Sequence, residues 1–560
     1  MSKNIKITIV TQNEKLNNTI DVLEGKSVVV THDSSVTIMS TLLKNDLING
    51  SFCGGRGDCG RCRIQFLEGA TAPSALERRV MEAEELRQGY RLACFAKPKD
   101  DCIIRLTLVD APGIAIVSNM IGVTERIDSN GQINLKTEKH KLNVMESAGS
   151  YVSGNEKANN KADVMISVDL GTTTIAMQLM AMDTGRVLDT YCEMNPQRCY
   201  GADVLSRIQA SCEGNREILQ RLVVEVLERG VAYFGNQTDR VKCMCIAGNT
   251  TMVHLFMGYD VSSLGHSPFT PVEIGLQEYK HPRWDFTVWL VPGISAFVGG
   301  DIVAGLYARG MLTERFQESF AEQKGQISQE ELSLLIDLGT NGEMAMTDGT
   351  RMIVTATAAG PAFEGGAGAR IVGSDMIKCT SELLRQGIMD ETGLLADPFF
   401  QEGVSVQRIG EEGYCFTPGR GDSPLYLTQE DVRALQMAKA AVRAGVEVLA
   451  KRMEGQRTDE TEQNSEKQVK HVYLAGGFGY FLDVEAAFHI GLLPEHMRGS
   501  VTAVGNTSLM GAYLIGRDLC QHKIDKQALE QSLSSIESIN LAQQEDFEQL
   551  YIQYMNFPVC

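Results

Sequence analysis

The sequence predicts a multidomain α/β protein with a small β-rich unit at the N-terminus, a linker, and a two-lobed α/β region that occupies most of the chain. Three observations support this prediction. Four cysteines lie close together near the N-terminus, an aspartate-glycine motif occurs twice in similar strand-and-turn surroundings, and a glycine-rich turn follows a late apolar strand. With 560 residues, 43% of them hydrophobic, the chain is long enough to build three or four units with their own cores.

Composition excludes several classes of partner. The chain carries 52 Lys and Arg against 71 Asp and Glu, and the net charge of −19 argues against binding to a nucleic-acid backbone. There is no uninterrupted apolar run of 18 residues, so we expect no membrane partner. The ten cysteines outside the N-terminal group show no disulfide framework, which favours a reducing cytoplasm.

The grouped cysteines predict a metal cluster. They are Cys53, Cys59, Cys62 and Cys94, spaced C-x5-C-x2-C with the fourth 32 positions further on. Four thiolates on glycine-rich backbone are typical ligands of a 2Fe-2S cluster, because such a loop needs positive φ angles and amides turned toward sulfide. A thioredoxin-like C-x-x-C pair needs no third cysteine upstream, and zinc sites usually come as two close pairs. We therefore predict a 2Fe-2S site that handles single electrons.

The segments around these cysteines predict a small domain over residues 1–108. Residues 4–10 alternate like an edge strand, residues 61–66 read as a second strand, and residues 76–86 as a charged helix that precedes Cys94. The cysteine spacing and this order of elements resemble the ferredoxins of the adrenodoxin and putidaredoxin type. That resemblance implies a β-grasp fold.

The remaining boundaries follow from polar stretches and from an internal repeat. We expect a linker or small middle segment over residues 109–162, a first lobe over 163–330, a second lobe over 331–520 and a helical tail over 521–560. The two lobes are predicted because an apolar strand, the motif D-L-G-T and a second strand occur twice, with Asp169 and Asp337 in the motif 168 positions apart.

The repeated motif predicts a phosphate-binding site. A strand that ends in aspartate and glycine turns tightly, so amides and hydroxyls of the turn can close on phosphate oxygens. The candidate residues are Gly171, Thr172, Thr173 and Thr174 in the first copy, and Gly339, Thr340 and Asn341 in the second. Asp169 and Asp337 would face each other and hold Mg²⁺, directly or through its waters. The chain contains no G-x4-G-K-[ST] motif, which argues against a P-loop ATPase.

A glycine-rich turn within residues 472–483 completes the predicted nucleotide site. Gly476, Gly477 and Phe478 would lie against the base or the ribose. Two phosphate hairpins followed by this turn resemble the actin-like (ASKHA) ATPase superfamily, which implies that two lobes close on ATP. Two segments, 297–310 and 505–516, resemble the connecting helices of that superfamily. Asp301 is the candidate general base or orienting group for the attacking water, and the alternative is that it caps the helix.

Almost the whole chain resembles the family of reductive activators of corrinoid proteins. The diagnostic stretches are residues 195–208, 247–258, 267–275, 337–343 and 358–366. The resemblance implies an ATP-hydrolysing iron-sulfur reductase that passes an electron from its cluster to the inactive Co(II) of a methyltransferase corrinoid protein and regenerates Co(I). It also implies a low-potential electron donor upstream. Residues 358–375 are hypothesised to engage the corrinoid protein, with a tight structural turn as the alternative.

Three other functions are compatible with the same motifs. The first is an actin-fold small-molecule kinase with a redox-sensing domain. The second is a chaperone-like clamp that uses ATP, and the third is an ATP-driven electron donor to a non-corrinoid enzyme. The kinase would need an acceptor pocket, for which no residue set stands out. The oligomeric state, including a homodimer, is left open.

Overall fold

The computed structural model describes residues 4–10, 27–34, 36–44, 62–75, 77–81, 83–106, 115–116, 124–127, 133–136, 163–312, 331–359, 363, 373–395, 406–409, 413–416, 425–454, 468–476, 479 and 482–558. Within these residues, the strands form two sheets of six strands, one of five and two of three. No helix in these ranges is both long enough and apolar enough to cross a membrane.

The strands in chain order are β1 (Asn4–Val10), β2 (Ser27–Asp33), β3 (Arg63–Glu68), β4 (Tyr90–Leu92), β5 (Cys102–Leu106), β6 (Ala115–Ile116), β7 (Thr124–Ile127), β8 (Ile133–Lys136), β9 (Val164–Leu170), β10 (Thr174–Ala181), β11 (Val187–Met194), β12 (Val241–Gly248), β13 (Gln277–Tyr279), β14 (Thr287–Leu290), β15 (Glu331–Leu338), β16 (Asn341–Thr347), β17 (Met352–Ala358), β18 (Val406–Ile409), β19 (Gly413–Phe416), β20 (Leu425–Thr428), β21 (Gln468–Ala475), β22 (Val501–Gly505) and β23 (Glu537–Ser538).

The α-helices in the described ranges are α1 (Ile38–Lys44), α2 (Glu77–Val80), α3 (Ala83–Arg87), α4 (Val204–Ala210), α5 (Arg216–Tyr233), α6 (Thr250–Met257), α7 (Gly300–Ala308), α8 (Gly373–Arg385), α9 (Gln429–Glu454), α10 (Val484–His489), α11 (Thr507–Cys520), α12 (Lys526–Leu533) and α13 (Phe547–Gln553).

The N-terminal unit is a five-stranded sheet in the order β2-β1-β5-β3-β4, packed against α1. The strand predicted over residues 4–10 is present, but the prediction that it lies at an edge is wrong. β1 pairs with β2 on one side and, in parallel, with β5 on the other. Alternation of apolar residues reports one buried face and says nothing about how many neighbours a strand has. The charged helix predicted over 76–86 is divided into α2 and α3.

Five strands of each large sheet have the same arrangement, which confirms the predicted two-lobed fold. In the first sheet, β11, β10 and β9 are antiparallel, and β12 and β14 continue from β9 in parallel. In the second, β17, β16 and β15 are antiparallel, and β21 and β22 continue from β15 in parallel. Each D-L-G-T motif therefore begins at the end of the strand, β9 or β15, that has an antiparallel neighbour on one side and a parallel neighbour on the other.

The segment predicted as a helical tail, residues 521–560, contributes to the second lobe. It contains α12 and α13 as predicted, and it also contains β23, which pairs in parallel with β17. Leu541, Leu550 and Phe557 belong to the hydrophobic core of the second sheet. The buried Lys439 of α9 donates to the carbonyl of Asn556 at 2.8 Å, which fastens the end of the segment.

Helices α7 and α11 lie together between the two sheets, where the sequence predicted connecting helices. Their core includes Met165 and Cys245 of the first lobe together with Leu335 and Ala345 of the second. The helices cross at Gly511, where an added Cβ would lie 1.9 Å from the carbonyl oxygen of Ala304. Only glycine fits this crossing, because the atom that it meets belongs to rigid helical backbone.

We expect Gly511→Ala to lower the free energy of unfolding by about 1–3 kcal/mol, the usual cost of overpacking a core. The matched control is Gly445→Ala in α9, where an added Cβ would meet the terminal methyl of Met344 at 2.5 Å. A methionine end can move, and alanine favours helix, so this variant should keep or gain stability. Denaturant unfolding of both variants measures the difference, and equal stabilities would contradict the tight crossing.

Candidate nucleotide and cluster sites

Each D-L-G-T motif forms a tight turn between two antiparallel strands. The first turn lies between Leu170, where β9 ends, and Thr174, where β10 begins. At Gly171 an added Cβ would lie 2.5 Å from the carbonyl oxygen of Thr174, so a side chain would not fit. In the second turn, the amide of Gly339 donates to the carbonyl of Asn341 at 2.9 Å. The structure thus places the predicted phosphate-binding residues of both copies in equivalent turns.

Two asparagines hold the first turn from outside. Asn249 donates from Nδ2 to Oγ1 of Thr172 at 3.0 Å, and it also caps the N-terminus of α6. Asn195 donates from Nδ2 to the carbonyl of Gly171 at 2.8 Å, and its own amide donates to the carbonyl of Thr173 at 2.8 Å. These hydrogen bonds hold the turn in one conformation.

Arg207 is a buried residue of this site that motif reading missed. Its side chain is fully buried, and its guanidinium donates to the carbonyl oxygens of Thr172 and Gly201 and to Oε1 of Gln197. The sequence offers one indication of this role. Arg207 precedes the apolar Ile208 in α4, inside the stretch 195–208 that resembles the corrinoid-activator family. Because guanidinium donors are fixed in a plane, Arg207 orients the turn at Thr172.

We expect Arg207→Met to lower the free energy of unfolding by about 2 kcal/mol, since it removes hydrogen bonds from a charged donor to buried carbonyls. ATP binding should weaken as well, because the turn at Thr172 loses its support. The control is Arg221→Met, whose exposed side chain makes a 3.6 Å ion pair with Glu225 and should matter little. Calorimetric titration with MgATP and urea unfolding check both effects. Similar results for the two variants would contradict this role.

Four acidic residues near the two turns lie close enough for their charges to act on one another. Asp169 and Asp337 stand one residue before the ends of β9 and β15, Asp301 lies in the first turn of α7, and Glu343 lies on β16 directly opposite Asp337. Sequence reasoning predicted the three aspartates and missed Glu343. Like charges on opposed strand positions are unfavourable unless a cation compensates them.

The pKa values of these groups reflect burial and mutual repulsion. Burial, with the charges of Asp301 and Asp169, raises the pKa of Asp337 to about 8. Burial raises the pKa of Asp301 to about 7 and that of Asp169 to about 6, although a hydrogen bond from Asn506 to Asp169 opposes the latter. Burial and the three aspartates raise the pKa of Glu343 well above its ordinary value. Strongly shifted acids gathered at one point are typical of a functional site.

The acidic group fits Mg²⁺ held through water. Oε1 of Glu343 is buried and has no hydrogen-bond partner among the described residues. In those same ranges, no three acidic, histidine or cysteine side chains are placed to hold an ion directly. Mg²⁺ usually keeps several of its waters and takes one or two carboxylates plus phosphate oxygens, which suits buried carboxylates that lie near one another without being placed as direct ligands.

The third predicted element lies beside this group. β21 ends at Ala475, which is paired with Asp337, and Gly476 follows with φ at +84°. A Cβ on Gly476 would lie 2.4 Å from Oδ1 of Asp337, so the backbone passes directly over that carboxylate. Gly477 and Phe478 lie outside the described residues, as does most of the segment 358–375.

Asp301 is not the cap of its helix. The N-cap of α7 is Gly299, and Oδ1 of Asp301 accepts a hydrogen bond from the amide of Ile302 at 2.9 Å. The alternative interpretation of Asp301 as an N-cap is therefore wrong. Its role as general base stays a prediction, and its raised pKa agrees with that role because a base works best with a pKa near the working pH.

The raised pKa values give the protein without divalent cations a distinct pH dependence. Asp337 ionises at pH 3.8 when unfolded and near 8 when folded, so the folded state binds more protons between those values. We therefore expect the free energy of unfolding in EDTA to fall as pH rises from 5 to 8. Mg²⁺ should restore more stability at pH 8 than at pH 5. Asp337→Asn should flatten the profile; an unchanged profile would contradict the carboxylate repulsion.

The N-terminal unit brings together two of the four predicted cluster ligands. Cys62 precedes β3 and Cys94 follows β4, and their sulfurs lie 3.2 Å apart in the buried part of the unit. The amide of Ala93 donates to the carbonyl of Cys62 at 2.7 Å, which ties the two segments. Two soft thiol donors placed together fit an iron-sulfur cluster. Cys53 and Cys59 lie outside the described residues.

Comparisons with known proteins match these units. The profile described as 2Fe-2S iron-sulfur cluster binding domain matches residues 21–99, the RACo middle region matches 164–314, and the C-terminal ASKHA domain of RACo matches 331–370 and 368–560. The corrinoid activation enzyme RamQ of Eubacterium limosum is 26% identical, covering 83% of this chain and 88% of its own length. A Co(II) methylated amine-specific corrinoid protein reductase of Methanosarcina barkeri is 23% identical, covering 61% of this chain and 68% of its own length.

A solved structure also has this fold. The reductive activator for corrinoid,iron-sulfur protein covers 99% of this chain and 98% of its own chain, with a TM-score of 0.56 at 21% identity. Fold and site together define an iron-sulfur protein that carries an actin-like ASKHA domain. Because its middle and C-terminal regions both match RACo, the chain belongs to the RACo family.

Proposed function

We propose that this protein is an ATP-dependent reductive activator of a corrinoid protein. It passes single electrons from its 2Fe-2S centre to Co(II) in a methyl-transfer corrinoid protein and so regenerates Co(I). The observation that carries the proposal is the presence, in one chain, of the thiol pair Cys62 and Cys94 and of a carboxylate-lined site between two equivalent phosphate turns. Two relatives, a corrinoid activation enzyme and a Co(II) corrinoid protein reductase, support the same activity.

An electron acceptor that is hard to reduce explains why both sites occur in one chain. Plant-type ferredoxin clusters lie at about −400 mV, and each 59 mV or so uphill lowers the equilibrium constant of a one-electron transfer about tenfold. ATP can offset such a deficit only if its state alters the affinity for the partner, since equal affinity for both conformations shifts nothing. An easily reduced acceptor would need no ATPase.

The residues of the candidate nucleotide site have separate roles in this proposal. The turns at Thr172 and Thr340 orient the phosphates through backbone amides and hydroxyls. Asp169 and Asp337 would hold Mg²⁺, which would neutralise phosphate charge. Asp301 accepts the proton of the attacking water. Helices α7 and α11, which cross at Gly511, transmit closure of the lobes to the partner's docking surface.

The four cysteines Cys53, Cys59, Cys62 and Cys94 would hold the cluster, which supplies one electron at a time. A low-potential donor must reduce it between turnovers, because each transfer to cobalt leaves the cluster one electron short. We propose that the protein works in the cytoplasm, because its cysteines outside the quartet form no disulfide framework in the sequence.

The direct test mixes the anaerobically reduced protein, MgATP and a candidate corrinoid protein, and follows the absorbance change from Co(II) to Co(I). We expect reduction with MgATP and little without nucleotide. A non-hydrolysable ATP analogue separates binding from hydrolysis. An intact cluster that reduces no corrinoid partner under these conditions would exclude the proposal.

A further inference from the structure

Two cysteines outside the cluster site meet where α11 ends on the first sheet. Cys243 is buried on β12, and Cys520 is the last residue of α11 and partly exposed. Their sulfurs lie 2.7 Å apart although the residues are 277 positions apart in sequence. We propose that Cys243 and Cys520 form a reversible thiol–disulfide pair, a redox modification site separate from the cluster. A disulfide has its sulfurs about 2.05 Å apart, so small side-chain rotations suffice.

The surroundings give an oxidant access to one member of the pair. A cavity of about 480 Å³ is lined by Cys520, Lys242, Asp163 and Asp183, among others. Cys243 lies behind Cys520 and has no exposed surface. The hydrogen bond between the sulfurs lowers the pKa of Cys520 and raises that of Cys243. Cys520 is therefore the thiol that ionises first and attacks.

The reaction is a thiol–disulfide exchange with a small disulfide such as oxidised glutathione. The thiolate of Cys520 attacks one sulfur of the oxidant, which breaks its S–S bond and releases one thiol. Cys243 then gives its proton to solvent, and its sulfur attacks that of Cys520 and releases the second thiol. The protein loses two electrons and two protons, and one disulfide is reduced to two thiols. In a reducing compartment, pairs of this kind are redox-sensing more often than structural.

The position of the pair connects it with the nucleotide site. Asn506 caps the other end of α11, and its Nδ2 donates to Oδ2 of Asp169 at 2.7 Å. One helix of 14 residues, about 21 Å long, thus joins the cysteine pair to the candidate Mg²⁺ site. A bond from Cys520 to β12 would fasten α11 to the sheet that also carries Asp169. We expect slower amide exchange in the last turns of α11 when the pair is oxidised.

The test uses the full-length protein with its cluster, treated anaerobically with oxidised glutathione. Peptide mass spectrometry should find Cys243 linked to Cys520 with loss of two hydrogens, and dithiothreitol should reverse the link. Hydrogen exchange over residues 513–520 should slow at the same time. Cys520→Ser should abolish both changes. Cys212→Ser, which replaces an exposed cysteine elsewhere, should leave them intact.

Three results would overturn the inference. The first is an absence of the link when the exposed Cys212 is fully glutathionylated, because modified Cys212 shows that the oxidant has reacted with the protein. The second is a link from Cys520 to Cys245, the neighbour two positions along β12, or a link that survives in Cys243→Ala. The third is unchanged amide exchange in α11 after the link has formed. None of these outcomes depends on the proposed corrinoid partner.

Discussion

Asp337→Asn is expected to reduce ATP hydrolysis at least about 10²-fold and, at pH 8, to raise the stability of the protein without Mg²⁺. The loss follows because asparagine keeps the shape of aspartate but brings no charge to Mg²⁺ and the phosphates. The gain follows because burial and the neighbouring Asp301 and Asp169 raise the pKa of Asp337 to about 8, so its charge is unfavourable in the folded state. Steady-state phosphate release and thermal unfolding in EDTA measure the two effects.

The matched control is Asp525→Asn. Asp525 caps α12 by accepting a hydrogen bond from the amide of Ala528 at 2.7 Å, and asparagine is an equally good cap. This variant should therefore hydrolyse ATP normally and unfold at the same temperature. In Asp337→Asn the visible spectrum of the cluster should be unchanged. If Asp337→Asn keeps its ATPase activity, Asp337 is not part of the nucleotide site, whatever the stability of the variant.

Cys62→Ser is expected to abolish electron transfer and the visible absorption of the cluster while ATP hydrolysis continues. Cys62 is buried, and its sulfur lies 3.2 Å from that of Cys94, so a hydroxyl there replaces a soft ligand with a hard one. The nucleotide site belongs to other sheets and should keep its activity. Absorbance spectra and iron content measure the loss of the cluster, and the Co(II) to Co(I) assay measures the loss of electron transfer. Phosphate release measures the remaining ATP hydrolysis.

Cys102→Ser separates loss of a ligand from damage to the fold. Cys102 lies on β5 in the same sheet, is buried, and has a thiol whose pKa burial raises to about 11, so it is a neutral core residue. This variant should lose some stability and keep the absorption of the cluster. If both variants lose the cluster equally, the sheet and not the thiol ligand accounts for the effect of Cys62→Ser.

The sequence by itself determined the features that depend on short spacings. Three of the four predicted cluster cysteines and their glycines lie within ten positions, from Cys53 to Cys62, and the D-L-G-T turns require glycine where a Cβ would strike the chain, as at Gly171. Such local chemistry is fixed by neighbours along the chain. The duplicated motif also predicted two similar lobes, and the two sheets confirm it.

Only the tertiary structure decided which distant groups meet. Glu343 joins the aspartates through the register that places it opposite Asp337, and Asn506 reaches Asp169 from 337 positions away. The internal position of β1 comes from pairing with β5, and the contact of Cys243 with Cys520 comes from the packing of α11 on β12. Periodicity and spacing report turns and buried faces, whereas strand order and helix packing are fixed by contacts between segments far apart in the chain.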